Sequence, residues 1–208
     1  MINEILRNKQ RLRSKIWSEM EQQGIAAFPL PCRGRIPNFV GAAIAAEKLR
    51  QLDEWKKARV IFVGPDSPQK KVRENTLKDG KVLVIASPKL KRDFIILNPA
   101  RTIGMEHFAS TIKGAFQLGA VAKLEDIPRP DLIVEGSVAV DPHGHRLGKG
   151  GGYGDLEIGL LKRVFGDIPV ATTVHDIQLV EKVPFGEKDE KISIIVTPTK
   201  VIRVESHT

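Results

Sequence analysis

Six short runs of aliphatic and β-branched residues punctuate the chain between residues 59 and 197, and they constrain the fold more than any other feature. Residues 59–63, 81–86, 94–97, 132–140, 169–174 and 192–197 are too short and too evenly apolar for amphipathic helices. They read as strands buried on both faces. Helical patterns separate several of them, over 68–79 and over 153–165. Turn formers stop the runs: Gly64-Pro65, Asp79-Gly80, Pro88 and Asn98-Pro99. Buried strands alternating with helices predict an α/β domain with a mainly parallel sheet. Residues 105–118 stay ambiguous, a loop followed by a short helix.

Ahead of the strands, residues 2–23 form an amphipathic helical pattern that Gly24 can stop. Residues 25–37 carry three prolines and one glycine and read as an irregular connection. A second helix is expected over 38–57. Both helices are expected to pack on the sheet. With 208 residues and no repeat or low-complexity linker, one domain is expected over 1–208, its last residues, 205–208, a frayed tail.

The chemistry concentrates between Gly144 and Glu157. Five glycines, Gly148, Gly150, Gly151, Gly152 and Gly154, lie among Arg146, Lys149, Tyr153 and Asp155. Without Cβ atoms, successive backbone N–H groups can curl around one anion. The loop follows a strand and leads into a helix, a favourable place for phosphate. It is not a Walker A loop, because no Ser or Thr follows Lys149. It is not the dinucleotide fingerprint either, because Tyr153 stands where the third glycine belongs. The competing reading is a glycine-rich surface hairpin with solvated charges.

Net charge is +8, which favours anionic partners such as nucleotides, polyanionic cofactors or nucleic acid. Aromatic residues, 5% of the chain, are too few for a stacking platform for single strands. The single cysteine, Cys32, excludes an internal disulfide and suits a reducing interior. No base stands beside it, so it reads as a buried or idle thiol. No apolar run is long enough for a membrane span and the polar start is no signal peptide, so a cytoplasmic location is expected.

The motif resembles the signature of the 5-formyltetrahydrofolate cyclo-ligase family, the methenyltetrahydrofolate synthetases. The matching stretch is Arg146-Leu-Gly-Lys-Gly-Gly-Gly-Tyr153 followed by Asp155. Lys9-x-x-Leu12-Arg13 is similar to the family's N-terminal motif. Pro130-Asp-Leu-Ile and Val138-Ala-Val-Asp141 resemble its strand into the loop, and Gln178, Pro184, Asp189 and Ile195-Val-Thr197 its C-terminal segment. The resemblance implies a three-layer α/β fold like that of sugar-phosphate isomerases and coenzyme A transferases. It also implies ATP- and Mg2+-dependent closure of 5-formyltetrahydrofolate to 5,10-methenyltetrahydrofolate. Lys9, Arg13, Arg146 and Lys149 would hold ATP phosphates, with Arg146 and Lys149 the catalytic pair. Gly148, Gly150, Gly151 and Gly152 would form the cradle, Tyr153 would pack over the loop or the base, and Asp155 would hold Mg2+.

The departures fall on the substrate side. The signature's second tyrosine is Gly154 and its arginine is Leu156, followed by Glu157. The family's glutamate after the first strand is missing from Gly64-Pro-Asp-Ser-Pro-Gln-Lys70, where Asp66 is the only acid. A Glu-Pro becomes Asn98-Pro99 and a Thr-Glu becomes Thr197-Pro198. This version also resembles a side branch, the methenyltetrahydrofolate synthetase domain-containing proteins.

Each residue has a plainer reading beside this one. Lys9 and Arg13 could be solvated helix surface, and Asp155 an acid favoured by the helix dipole. Asp189 reads as a solvated turn. His143 and His145 lack a third metal ligand nearby in sequence, and His107 reads as structural. His175-Asp176, at a strand end, is the best candidate for general acid–base work.

The expected partners are a nucleotide and a reduced folate or pterin, on a monomer or homodimer. The alternative is a non-catalytic nucleotide- or RNA-binding relative. An isomerase or transferase acting on a phosphorylated small molecule rests on fold analogy alone.

Overall fold

The computed structural model describes residues 2–87 and 93–205. In chain order the elements are α1 (Ile2–Gln22), β1 (Ala26–Ala27), β2 (Asn38–Phe39), α2 (Ala42–Arg50), α3 (Asp53–Lys57), β3 (Val60–Val63), α4 (Lys70–Lys78) and β4 (Val82–Ala86). There follow β5 (Phe94–Leu97), α5 (Glu106–Ala109), α6 (Ile112–Leu118), β6 (Ala120–Ala122), β7 (Leu132–Val134) and β8 (Ala139–Val140). The last are β9 (Arg146–Leu147), α7 (Tyr153–Phe165), β10 (Val170–Thr173), β11 (Ile194–Val196) and β12 (Val201–Arg203). Pro88 and residues 206–208 of the expected tail lie outside the described residues.

Eight strands form one sheet in the order β12-β11-β10-β7-β3-β4-β5-β6. Its centre, β11-β10-β7-β3-β4, is parallel. β12, β5 and β6 add antiparallel edges. The sheet separates two cores, and the period-two alternation of strands assigns residues to each. Ile61, Val63, Leu83, Ile85, Leu132 and Val134 face a core shared with Ile16, Met20, Ala45, Leu49 and Ala115 of the helices. Phe62, Val84, Ile133, Val170 and Ile195 face the opposite core, where α7 contributes Ile158 and Leu161. Helices thus cover both faces, as strands without a polar side require. Each fully buried side chain of this size contributes about 1.5–3 kcal/mol of transfer free energy.

Two expected elements are broken. The helix expected over 38–57 begins as β2, paired with β1, and turns at Gly41 with φ +92°. A Cβ at Gly41 would lie 2.9 Å from Pro198 Cγ, so the last parallel strand's exit packs against this turn. The helix breaks again at Leu52, whose extended backbone lets α3 bury Trp55. The Trp55 indole N–H donates to Asp79 Oδ2 at 2.7 Å.

The strand expected over 132–140 ends at Val134. The chain leaves the sheet through Glu135-Gly136-Ser137, then pairs β8 with β9 in a separate antiparallel hairpin. Fully buried Asp141 ties the hairpin by accepting the N–H groups of His143, His145 and Val183.

Candidate functional site at the glycine loop

The loop 148–152 joins β9 to α7 on the side of the sheet where the parallel strands end. Gly150 and Gly152 hold positive φ, +116° and +71°, which other residues rarely adopt. Gly152 is the N-cap of the 13-residue helix α7, so the helix's unpaired first-turn N–H groups stand at the loop. Gly150, Gly151 and Gly152 are exposed. Tyr153 is 66% exposed, its ring edge 2.8 Å from where a Cβ of Gly151 would lie.

Helix α1 reaches this loop from the other end of the sequence. Arg13 Nε donates to Gly148 O at 2.7 Å, and its guanidinium lies beside Gly150. One turn earlier, Lys9 pairs with Asp189 at 2.5 Å, both side chains largely buried. Asp189 Oδ2 also accepts the Gly186 N–H at 2.6 Å. The solvated turn expected at Asp189 is therefore a tie between α1 and the C-terminal segment.

Arg146 is only 3% exposed. Its Nη1 donates to Gly136 O at 2.7 Å and its Nη2 pairs with Asp155 Oδ2 at 2.9 Å. Asp155 Oδ1 accepts the Glu190 N–H at 3.2 Å. Lys149 Nζ reaches Asp66 Oδ1 at 2.8 Å, joining the loop to the segment after β3. Arg73 fixes that segment from beneath, donating to the carbonyls of Gly64, Asp66 and Ser110. Burial lowers the Arg73 pKa to about 10, and the guanidinium stays charged. Burial lowers that of Arg13 as well, against the nearby charges of Asp189 and Asp155.

Three of the four expected cations, Arg13, Arg146 and Lys149, therefore meet at the loop, and Lys9 lies one helical turn away on Asp189. Among the described residues, Arg13 alone of the four has no carboxylate within ion-pair distance. Asp155, expected to hold Mg2+, has both oxygens engaged. Asp66 keeps Oδ2 free of hydrogen bonds among the described residues. Together with the cradle of glycines, these groups fit a polyphosphate and its hard cation.

Other expected residues serve the fold. His175 caps a short 3₁₀ turn, its Nδ1 accepting the Ile177 N–H, while Asp176 accepts the hydroxyls of Thr197 and Thr199. The two residues expected for acid–base work are thus engaged in local turn contacts, His175 through Nδ1 and Asp176 through its carboxylate. His145 pairs with Asp141 at 2.9 Å and stacks on Phe185. His107, expected to be structural, is largely exposed with Nδ1 3.3 Å from Glu74. Among the described residues no group of three His, Cys, Asp or Glu is placed to hold a metal alone. Cys32 is fully buried, and burial pushes its thiol up to about 12.

Three residues near the loop escape sequence reasoning. Glu135 is 3% exposed and Gln69 fully buried, each with an unpaired side-chain oxygen. Glu157, on the first turns of α7, is partly buried. Burial raises the pKa of both glutamates. At Glu135 the Arg146 charge opposes this and Asp66 adds to it, whereas at Glu157 the charges of Glu135 and Asp66 add to it. The available signal was an acid followed by glycine inside the apolar run 132–140.

The 5-formyltetrahydrofolate cyclo-ligase family profile matches residues 5–198. The chain belongs to that family. A methenyltetrahydrofolate synthase domain-containing protein of Bos taurus is 39% identical over 203 residues, which cover 94% of this chain and 53% of that protein. Its Homo sapiens counterpart is 36% identical over 204 residues, again 94% of this chain and 53% of that protein. The chain thus spans about half the length of these relatives. A 5-formyltetrahydrofolate cyclo-ligase of Escherichia coli K12 is 40% identical over 75 residues, 36% of this chain and 40% of that protein. Among solved structures, a 5,10-methenyltetrahydrofolate synthetase of Aquifex aeolicus superposes with a TM-score of 0.61 at 20% identity, covering 96% of this chain and 94% of that one. This cyclo-ligase family member therefore shares the mixed α/β fold with its mainly parallel sheet. No helix among the described residues is long and apolar enough to cross a membrane.

Proposed function

We propose that the glycine loop binds ATP with Mg2+ and that the chain is a ligase closing the ring of 5-formyltetrahydrofolate or a related reduced pterin. The observation that carries this reading is the hydrogen bond from Arg13 to Gly148, across 135 residues of sequence. Nothing in helix α1's own stability asks for an arginine on that carbonyl, whereas a polyphosphate needs a cation there. Bound ATP would supply the γ-phosphoryl group that turns the formyl oxygen into a leaving group, giving the methenyl ring, ADP and phosphate.

The protein's part is to position and neutralise. The first-turn N–H groups of α7 and the backbone of Gly150–Gly152 would take phosphate oxygens. Arg13 and Lys149 would add charge from the loop's two sides. Lys149 would exchange Asp66 for phosphate, freeing both Asp66 oxygens for Mg2+. Arg146, held by Gly136 and Asp155, would present its charge beneath the loop without moving.

The test is incubation with ATP, Mg2+ and 5-formyltetrahydrofolate while methenyl absorbance is followed. Turnover is expected, and Arg13→Ala should weaken ATP binding about tenfold by loss of one charge-assisted contact. An unchanged ATP affinity in that variant would remove the site. ATP binding without turnover on any reduced pterin would favour a second reading, a non-catalytic relative that binds nucleotide or RNA. The net charge of +8 and the exposed Arg7 and Arg11 on α1 motivate it. RNA affinity no stronger or more salt-sensitive than that of a basic control protein would exclude the RNA form.

A further inference from the structure

The segment that carries Asp66 is held more firmly than a surface turn requires. It reads Gly64-Pro65-Asp66-Ser67-Pro68 and leaves the sheet at the carboxyl end of β3. The two prolines fix φ at their own positions. The Gly64 N–H donates to Val134 O at 2.9 Å, so the start of the segment is tied to β7. Ser67–Gln69 form a 3₁₀ turn that runs directly into α4, and Asp66 is its N-cap residue. An N-cap aspartate ordinarily accepts an N–H of its own turn. The Asp66 side chain makes no such bond; it reaches Lys149 at 2.8 Å and keeps Oδ2 free of hydrogen bonds among the described residues.

Beneath this segment Arg73 points a buried cation at backbone carbonyls. It is 2% exposed, and no carboxylate of the described residues lies within ion-pair distance of it. Removing a charge from water without an opposite charge beside it is costly, and fixed dipoles have to offset that cost. Three do: Nη1 donates to Gly64 O at 2.6 Å and to Asp66 O at 3.0 Å, and Nε donates to Ser110 O at 2.8 Å. Ser110 is a firm anchor, buried between α5 and α6, with Oγ donating to His107 O at 2.7 Å. The carbonyls of Gly64 and Asp66 belong to the two peptide planes on either side of Pro65-Asp66. Holding both planes sets the direction in which the Asp66 Cα–Cβ bond leaves the chain.

We propose that Arg73 is a positioning residue for the metal-bound nucleotide: by clamping the carbonyls on both sides of Pro65-Asp66 to the α5–α6 corner, it holds the Asp66 carboxylate at the edge of the glycine loop, set for the hard cation that accompanies a polyphosphate. This assignment rests on the reading that the loop binds ATP with Mg2+. Carboxylate oxygen suits that ion, and an acid fixed before the ion arrives loses less freedom on binding it. Arg73 itself touches neither nucleotide nor metal; it acts through Asp66.

The experiment measures ATP affinity of the full chain by calorimetry, with Mg2+ and with Mg2+ chelated, in wild type, Arg73→Lys, Asp66→Asn and the double variant, alongside urea unfolding of each. Arg73→Lys keeps the charge, but one ammonium nitrogen cannot stand at the Nε and Nη1 positions together, so its effect reports the clamp rather than the charge. Wild type should bind ATP more tightly with Mg2+ than without. Arg73→Lys should lose about tenfold in affinity with Mg2+ and less than twofold without it. Asp66→Asn should lose the same Mg2+-dependent gain, and the double variant should lose no more than Asp66→Asn alone, because both changes act on one carboxylate. A purely structural arginine would lower the unfolding midpoint and leave the Mg2+-dependent gain intact; that result overturns the inference. So do additive losses in the double variant, or a full gain in Asp66→Asn. Wild-type ATP binding that ignores Mg2+ overturns the inference and leaves the nucleotide site standing, whereas no ATP binding under either condition overturns both.

Discussion

Arg146 can lie buried beneath the loop because residue 154 is a glycine. A Cβ there would stand 2.8 Å from Nη2 and 3.1 Å from Cζ, while the guanidinium is held by Gly136 and Asp155. Gly154→Ala should therefore destabilise the fold by about 1–3 kcal/mol, as overpacking does, read from urea unfolding. The two raised glutamates give a pH signature. Above the ordinary glutamate value of 4.5 the unfolded chain releases protons that folded Glu135 and Glu157 retain. The folded state binds more protons in that window, so stability falls as pH rises through neutrality, by at most about 1.4 kcal/mol per pH unit for each carboxyl. Glu157→Gln should flatten the decline of the unfolding midpoint between mildly acidic and alkaline buffer; an unchanged slope would contradict the burial of this carboxyl. Cys32 should resist a thiol reagent in native protein at neutral pH and react only with unfolding, since its thiolate is suppressed and covered.

Among the elements, helix α1 holds the loop through Arg13 and the C-terminal segment through Lys9. The Lys9–Asp189 pair is largely buried, so Asp189→Asn should cost about 1–2 kcal/mol, between exposed and buried ion pairs. Faster amide exchange in α1 and weaker ATP binding should follow together; unaltered exchange would show that the pair does not hold the helix. The sequence made α1, α7 and the parallel strands legible, because each has a clean hydrophobic period over its own length. It also placed Lys9 and Arg13 with Arg146 and Lys149, but through the family motif, since helical spacing alone reads as solvated surface. It missed the breaks at Gly41, Leu52 and Val134. Hydrophobic periodicity reports burial, and residues 138–140 are as buried in their hairpin as β7 is in the sheet. For that reason Glu135 passed as one polar residue in a strand rather than the first residue beyond it.

Taken as a whole molecule, the chain is a sheet with two dry faces and its chemistry at one rim. The two cores share every central strand, so a core substitution should be felt on both sides of the sheet as one cooperative loss. Phe62→Ala, in the thinner core beside α7, should cost about 3–5 kcal/mol and give a single transition by fluorescence and circular dichroism. The contact between Lys9 and Asp189 spans 180 residues. A nascent polypeptide still threaded through the ribosome before residue 189 emerges therefore cannot complete the grip. Nucleotide capture at the proposed site would therefore wait until residue 189 has left the ribosome, so the site is completed by folding of the domain as a whole and not by its N-terminal half.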